Sequence, residues 1–113
     1  MEHSDKIILE KSIREIDFAV KKLRGTSEKD FLDDIDAQHS IGMAAINLGE
    51  LIKHVSDELR DANPKIPWRE AAGLRDITAH SYDTLRMDDL YKTVKDDFPE
   101  LKEALKGLLG EEK

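Results

Sequence analysis

Two long stripes of apolar residues, spaced as on one face of an α-helix, dominate the pattern of this chain. The first stripe steps by four, three, four and three residues through Leu9, Ile13, Ile16, Val20 and Leu23. The second stripe continues in the same way through Ile41, Ala45, Leu48, Ile52, Val55 and Leu59. Such steps keep side chains on one side of a helix that turns every ~3.6 residues. They predict a helix ended by Gly25 and a longer helix over residues 36–62, ended by Asn63 and Pro64.

Shorter segments predict further helices around these two. Thr26 and Ser27 can cap a helical turn over residues 28–35, in which Phe31 and Leu32 are expected to point inward. Pro67 is expected to be the first residue of the next helix, where its missing N–H costs nothing. A fourth helix is predicted over residues 87–94, with Leu90 and Val94 facing the core. Residues 98–99 (Phe-Pro) then predict the start of a last helix that carries Leu101, Ala104, Leu105 and Leu108.

The fold class that follows is all-α. No segment alternates between apolar and polar residues with a period of two, so no strand is predicted. We expect an up-and-down bundle of four to five helices, in a single domain over residues 1–113. Two facing helices from two copies of the chain could form a dimer through the same stripes, and the pattern alone does not separate a core contact from a dimer contact.

Composition narrows the classes of function. The sequence has no cysteine, which excludes disulfides and thiol catalysis. The first residues form no apolar signal core, and no run approaches the ~18 apolar residues that span a membrane, so we expect a soluble cytoplasmic protein. The net charge of −7 disfavours general binding to nucleic acid. Residues 64–86 contain four basic and three acidic side chains, so a polyanion is expected to bind near this segment.

Within that segment, Arg75, His80 and Tyr82 bring three reactive groups together in sequence. An arginine can hold a phosphate through two charge-assisted hydrogen bonds and stabilise the negative charge of a phosphoryl transition state. A histidine can accept a proton from a hydroxyl group near neutral pH. If the nucleophile is the 2′-hydroxyl of RNA, no metal ion or enzymic nucleophile is needed, and DNA should resist. The four histidines lack the spacing of metal ligands, so neither a metal site nor a cofactor is predicted.

Arg75 and His80 would not share one face of an uninterrupted helix. Each residue turns the helix by ~100°, so side chains five positions apart point ~140° away from each other. A joint site requires that the helix ends near Ala79, or that the two groups meet their counterparts across a two-fold axis. An Arg and a His at this spacing also occur in many helices without a catalytic role.

Several motifs around this pair resemble the HepT-like branch of the HEPN domains. They are residues 48–50 (Leu-Gly-Glu), 66–70 (Ile-Pro-Trp-Arg-Glu), 73–76 (Gly-Leu-Arg-Asp), 80–82 (His-Ser-Tyr) and 97–101 (Asp-Phe-Pro-Glu-Leu). That family carries an Arg, four to six further residues, a His and then x-Tyr, and the polar residue after its Arg matches Asp76. The resemblance covers nearly the whole chain. Many members have Gly between the His and the Tyr, whereas this chain has Ser81, whose backbone is less free.

The resemblance implies a homodimer with Arg75 and His80 as catalytic residues in a cleft at the dimer interface and Asp76 in support. It implies a metal-independent ribonuclease that acts as the toxin of a toxin–antitoxin pair. The implied partner is a minimal nucleotidyltransferase, the antitoxin, which transfers AMP from ATP to Tyr82. The AMP group would add negative charge and bulk beside Arg75 and His80 and so block the RNA backbone.

Three other residues are candidates for a role in the site. Asn47 and Glu50 lie off the apolar stripe of the long helix and could line the cleft, or else face solvent. Trp68 is the only tryptophan in the chain. We expect it to anchor the core at the start of a helix rather than to serve as a base-stacking platform.

Two other functions compete with the ribonuclease. The acidic net charge favours a non-catalytic HEPN module that binds a nucleotidyltransferase. A plain helical scaffold that dimerises through its apolar stripes would leave Arg75 and His80 without a role. We favour the ribonuclease toxin, which uses both residues.

Overall fold

The computed structural model describes residues 1–77 and 87–110, and within these ranges the regular structure is entirely helical, as predicted. The α-helices are α1 (His3–Leu23), α2 (Glu28–Asp33), α3 (Ile35–Lys53), α4 (Asp57–Ala62), α5 (Trp68–Ala72), α6 (Met87–Lys92) and α7 (Phe98–Gly110). A 3-10 helix (Gly73–Ile77) extends α5, and a π-helix (Thr93–Asp97) joins α6 to α7. No helix of the described ranges is both long and apolar enough to cross a membrane.

The two predicted stripes form the centre of the core. Leu9 and Ile16 on α1 and Ile41 and Leu48 on α3 are completely buried, which confirms that these faces point inward. Burial of each such side chain contributes about 1.5–3 kcal/mol. The two helices run antiparallel, because the beginning of α1 lies near Ser56, just beyond the end of α3, and their middles meet where Asn47 donates to Glu15.

The long helix predicted over residues 36–62 is wrong in its middle, because α3 ends at Lys53 and α4 begins only at Asp57. The Ser56 hydroxyl caps α4 by accepting a hydrogen bond from the Leu59 amide. The same hydroxyl, together with the Ser56 amide, donates to the Asp5 carboxylate on α1 at 2.6 and 2.9 Å. These bonds stabilise the break between α3 and α4. The apolar pattern does not reveal this break, because Val55, which lies within it, is still buried.

The connection between α1 and α3 follows the predicted turn chemistry, with one correction. Gly25 has a positive φ of 78°, just beyond the end of α1, as expected for a residue that stops a helix. Ser27 caps α2 by accepting from the Asp30 amide. Phe31 is fully buried, but Leu32 is 42% exposed, so the prediction that both point inward is wrong for Leu32. Such a short helix presents only one narrow face to the core, and Phe31 occupies that face.

The last part of the chain is one helical run rather than two separate helices. The last helix begins at Phe98, as predicted, but it follows the preceding helix without a break, because the backbone stays helical from α6 through the π-helix into α7. Pro99 has no N–H to donate to the carbonyl group four residues earlier, and a local change to wider π turns relieves that mismatch. Leu90 and Val94 are buried, as predicted, and so are three residues of α7, Leu101, Leu105 and Leu108.

Candidate functional site

The 3-10 helix that carries Arg75 and Asp76 lies directly against the backbone of α3. A Cβ atom at Gly49 would collide with the backbone nitrogen of Arg75 and lie 3.1 Å from the Ala72 carbonyl oxygen. Only glycine, which has no Cβ, permits two backbones to approach so closely. Gly49 therefore sets the position of the Arg75 backbone relative to its neighbour on α3, Glu50.

The Arg75 guanidinium lies between two carboxylates. Its Nη1 is 3.4 Å from Glu50 Oε1 and its Nε is 3.4 Å from Asp76 Oδ1. Both distances exceed the 2.7–2.9 Å of a strong charge-assisted hydrogen bond, and 36% of the Arg75 side chain is exposed. Exposed pairs of this kind contribute about 0–1 kcal/mol. The carboxylates thus orient the guanidinium without holding it so firmly that a phosphate could not replace one of them.

Glu50 also belongs to a groove of about 570 Å³ between α1 and α3. Asn47 lines the same groove and donates from Nδ2 to Glu15 Oε1 at 3.3 Å. Both residues that were considered as cleft-lining therefore lie along one surface channel. Glu50 also contacts Arg75, so the guanidinium lies next to a residue of this channel.

The sequence reasoning missed the contribution of α1 to this groove. Lys11 and Arg14 line it from the α1 side, and both are exposed. Their spacing could have indicated this shared position. Lys11 and Arg14 lie three residues apart and outside the apolar stripe, so they share one polar side of the helix. The sequence alone does not show which helix lies next to the polar side of α1.

Trp68 anchors the start of α5 rather than facing a ligand. Its side chain is 6% exposed, and its Nε1 donates to the Asn63 carbonyl oxygen at 2.9 Å. The prediction of a core anchor is confirmed. Pro67 occupies the N-cap of α5, one position before the predicted one, and the bond from Trp68 closes the turn that leads into the helix.

His80 and Tyr82 lie outside the described residues. Ala79, near which the helix would have to end for Arg75 and His80 to share a site, also lies outside them. The α-helical part of this segment stops at Ala72 and gives way to the 3-10 helix before Arg75. The described ranges contain no group of three or more His, Asp or Glu side chains placed to hold a metal ion.

Comparison with known proteins identifies relatives over almost the whole chain. The family model described as Ribonuclease HepT-like matches residues 9–108. The protein named Putative RNase TTE0752 of Caldanaerobacter subterraneus subsp. tengcongensis is 30% identical over 105 residues, covering 93% of this chain and 94% of that one. The protein named Probable ribonuclease HepT of Thermococcus cleftensis is 35% identical over 102 residues, covering 90% and 93%. No solved structure matches the chain significantly.

Proposed function

The chain belongs to the HepT-like ribonuclease family of HEPN domains, and from this membership we propose that it is a metal-independent endoribonuclease, the toxin of a toxin–antitoxin pair. The observation that carries the proposal is the family match over residues 9–108, which includes Arg75, Asp76, His80 and Tyr82. The partly exposed guanidinium of Arg75, which contacts the groove residue Glu50, supports it.

The proposed reaction uses the nucleophile that RNA itself carries. His80 accepts the proton of a ribose 2′-hydroxyl, and the 2′-oxygen forms a bond to the adjacent phosphorus. The bond from phosphorus to the 5′-oxygen breaks, and that oxygen takes a proton from solvent, which leaves a 2′,3′-cyclic phosphate and a 5′-hydroxyl. Arg75 holds the phosphate and stabilises the charge that builds on its oxygens. Asp76, 3.4 Å from Arg75 Nε, orients the guanidinium.

In the proposed assembly two copies form a homodimer, with the Arg75–His80 pair in the cleft between them. The two-fold arrangement removes the difficulty that residues five positions apart on one helix point in different directions. Arg75 of one copy can then act beside His80 of the other. On a single chain, the groove that Glu50 lines is open to solvent beside Arg75, which is consistent with a site that a second copy completes.

A cleavage assay tests the enzymatic part of this proposal. Purified full-length protein is incubated with single-stranded RNA in EDTA, and we expect products with cyclic phosphate ends. Arg75→Ala and His80→Ala should abolish cleavage, and a 2′-deoxy nucleotide at the cut should block it. Arg69→Ala and His3→Ala are matched controls, because both residues are exposed and lie outside the groove. Cleavage that disappears on adding EDTA would refute the metal-independent mechanism.

The proposed control of the enzyme is the transfer of AMP from ATP to Tyr82 by a minimal nucleotidyltransferase. AMP brings a negative phosphate and a bulky nucleoside to a residue two positions from His80, so RNA is excluded. With the partner and ATP, mass spectrometry should show AMP on wild-type protein and none on Tyr82→Phe, and only the wild type should lose RNA cleavage. A stable complex in which wild-type protein neither cleaves RNA nor accepts AMP would support the non-catalytic binding module instead.

A further inference from the structure

The groove between α1 and α3 carries positive charge that the proposed catalytic residues do not use. Lys11 and Arg14 project into it from successive turns of α1, and both side chains are exposed. In residues 1–77 and 87–110, neither has a carboxylate partner in an ion pair or hydrogen bond.

The acidic residues of the same groove are each engaged by another side chain. Glu15 accepts from Asn47 at 3.3 Å, and Glu50 pairs with Arg75 at 3.4 Å. Within residues 1–77 and 87–110, neither carboxylate forms an ion pair with Lys11 or Arg14. The α1 side of the groove therefore presents two cations without an ion-pair partner, next to a Glu15 side chain that is bonded to Asn47 of α3.

The groove lies next to the proposed catalytic arginine. Glu50 lines the groove and also forms an ion pair with Arg75, so a single side chain separates the guanidinium from the groove. Positively charged grooves that follow the backbone are the usual way in which proteins hold single-stranded nucleic acid. A groove of about 570 Å³ that is open to solvent can hold a short stretch of single-stranded nucleic acid rather than a folded partner.

We infer that Lys11 and Arg14 form a phosphate-binding subsite that holds the RNA strand on one side of the scissile bond. The inference rests on the proposed ribonuclease function and deepens it, because it identifies where the strand runs beyond Arg75. The two residues bind backbone phosphates and do not touch the reacting atoms. They favour RNA long enough to reach from Arg75 into the groove.

The test compares a long and a short RNA substrate. The probes are a fluorescently labelled polyuridine of about 12 nucleotides, within the range that one single-strand binding site covers, and the dinucleotide UpU, which cannot extend into the groove. In Lys11→Gln/Arg14→Gln, we expect KM for the long substrate to rise about tenfold with kcat unchanged, because a ground-state contact is lost. Cleavage of UpU should stay at the wild-type rate. The salt dependence of binding should weaken by about 0.7 per lost cation.

The matched control is Lys6→Gln/Lys29→Gln. It removes the same charge from two exposed residues that lie outside the groove, one of them on α1. A double variant of Lys11 and Arg14 that behaves like this control overturns the subsite. Equal losses with UpU and the long substrate also overturn it, since the residues would then act on the fold or on the chemistry. A change in sedimentation of the variant overturns it too, because the groove would be a contact between two copies.

Binding measured by fluorescence anisotropy separates failure of this inference from failure of the proposed function. If wild-type protein binds the labelled polyuridine but cleaves neither substrate, the ribonuclease proposal fails, and weaker binding by the double variant still supports the subsite. If wild-type protein cleaves RNA but both double variants bind it equally well, only the subsite fails. Absence of both binding and cleavage by wild-type protein overturns both.

Discussion

Gly49 and Arg75 meet backbone to backbone, so closely that a single methyl group on Gly49 would collide with the Arg75 nitrogen. The contact joins the middle of the core helix α3 to the 3-10 helix that carries the proposed catalytic arginine. Among the described residues, the guanidinium is held by loose, half-exposed ion pairs, so its position depends on where this backbone lies. The close backbone contact therefore contributes to placing the proposed catalytic arginine.

Gly49→Ala should damage both stability and activity. The new methyl group would force α3 and the 3-10 helix apart, and overpacking of this kind costs about 1–3 kcal/mol. Urea unfolding should show that loss, and RNA cleavage should fall because Arg75 moves relative to Glu50.

Gly42→Ala is the matched control, because Gly42 lies on the same helix and nothing is within 4 Å of its added Cβ. It should be neutral or stabilise by about 0.5–1 kcal/mol, since alanine loses less conformational freedom than glycine on forming a helix. If both variants unfold at the same urea concentration, the close approach at Gly49 does not matter.

Arg75→Lys should lose most of the activity although it keeps the positive charge. Lysine cannot make two parallel hydrogen bonds to one phosphate. Asp76 and Glu50 orient the planar guanidinium of Arg75, and they cannot orient a lysine ammonium group in the same way. Losing one well-placed donor to a developing charge typically costs about 10²–10³-fold in kcat. Cleavage rates at saturating RNA measure this directly. Arg69→Lys, on the exposed surface of α5, should cleave at the wild-type rate.

Glu50→Gln should strengthen RNA binding modestly. The Glu50 carboxylate competes with phosphate for the Arg75 guanidinium, and the amide of glutamine does not. An exposed pair is worth about 0–1 kcal/mol, so the affinity gain in anisotropy measurements should not exceed about fivefold. Glu10→Gln makes the same charge change on an exposed residue outside the groove and should have a smaller effect. Weaker binding by Glu50→Gln would mean that this carboxylate serves to orient Arg75 for phosphate.

The sequence predicted the helices whose formation depends on local pattern and did not predict features that depend on distant residues. The stripes of α1 and α3 were read correctly, because a spacing of three and four residues is a local property. The break before Ser56 was missed, since it is stabilised by Asp5, which is remote in sequence. Periodicity even argued against the break, because Val55 and Leu59 continue the stripe.

The contacts around the candidate site could be predicted only in part for the same reason. Arg75, Asp76 and Glu50 could be selected by residue type, and the structure places both carboxylates within ion-pairing distance of Arg75. Lys11 and Arg14 could not be selected, because their position depends on which side of α1 faces α3. That side is decided by the packing of the whole bundle, which no local pattern encodes.

The buried pair of Asp5 and Ser56 gives the last prediction, which concerns the break between α3 and α4. Asp5 is only 3% exposed and accepts both hydrogen bonds that Ser56 donates. Asp5→Ala would leave the Ser56 amide without a partner, and an unsatisfied buried polar group costs about 1–3 kcal/mol. We expect a loss of that size in urea unfolding. Asp61→Ala, at an exposed carboxylate of α4, should stay within about 0.5 kcal/mol of wild type.

A double-mutant cycle with Ser56→Ala separates this long-range contact from local capping. Ser56→Ala alone should cost about 1 kcal/mol or more, because its hydroxyl also caps α4 by accepting from Leu59. If Asp5 stabilises the break through Ser56, the unfolding free energy lost in the double variant should be smaller than the sum of the two single losses by at least about 0.5 kcal/mol. Additive losses would show that Asp5 and Ser56 act independently, and the break would then depend on the cap of α4 alone.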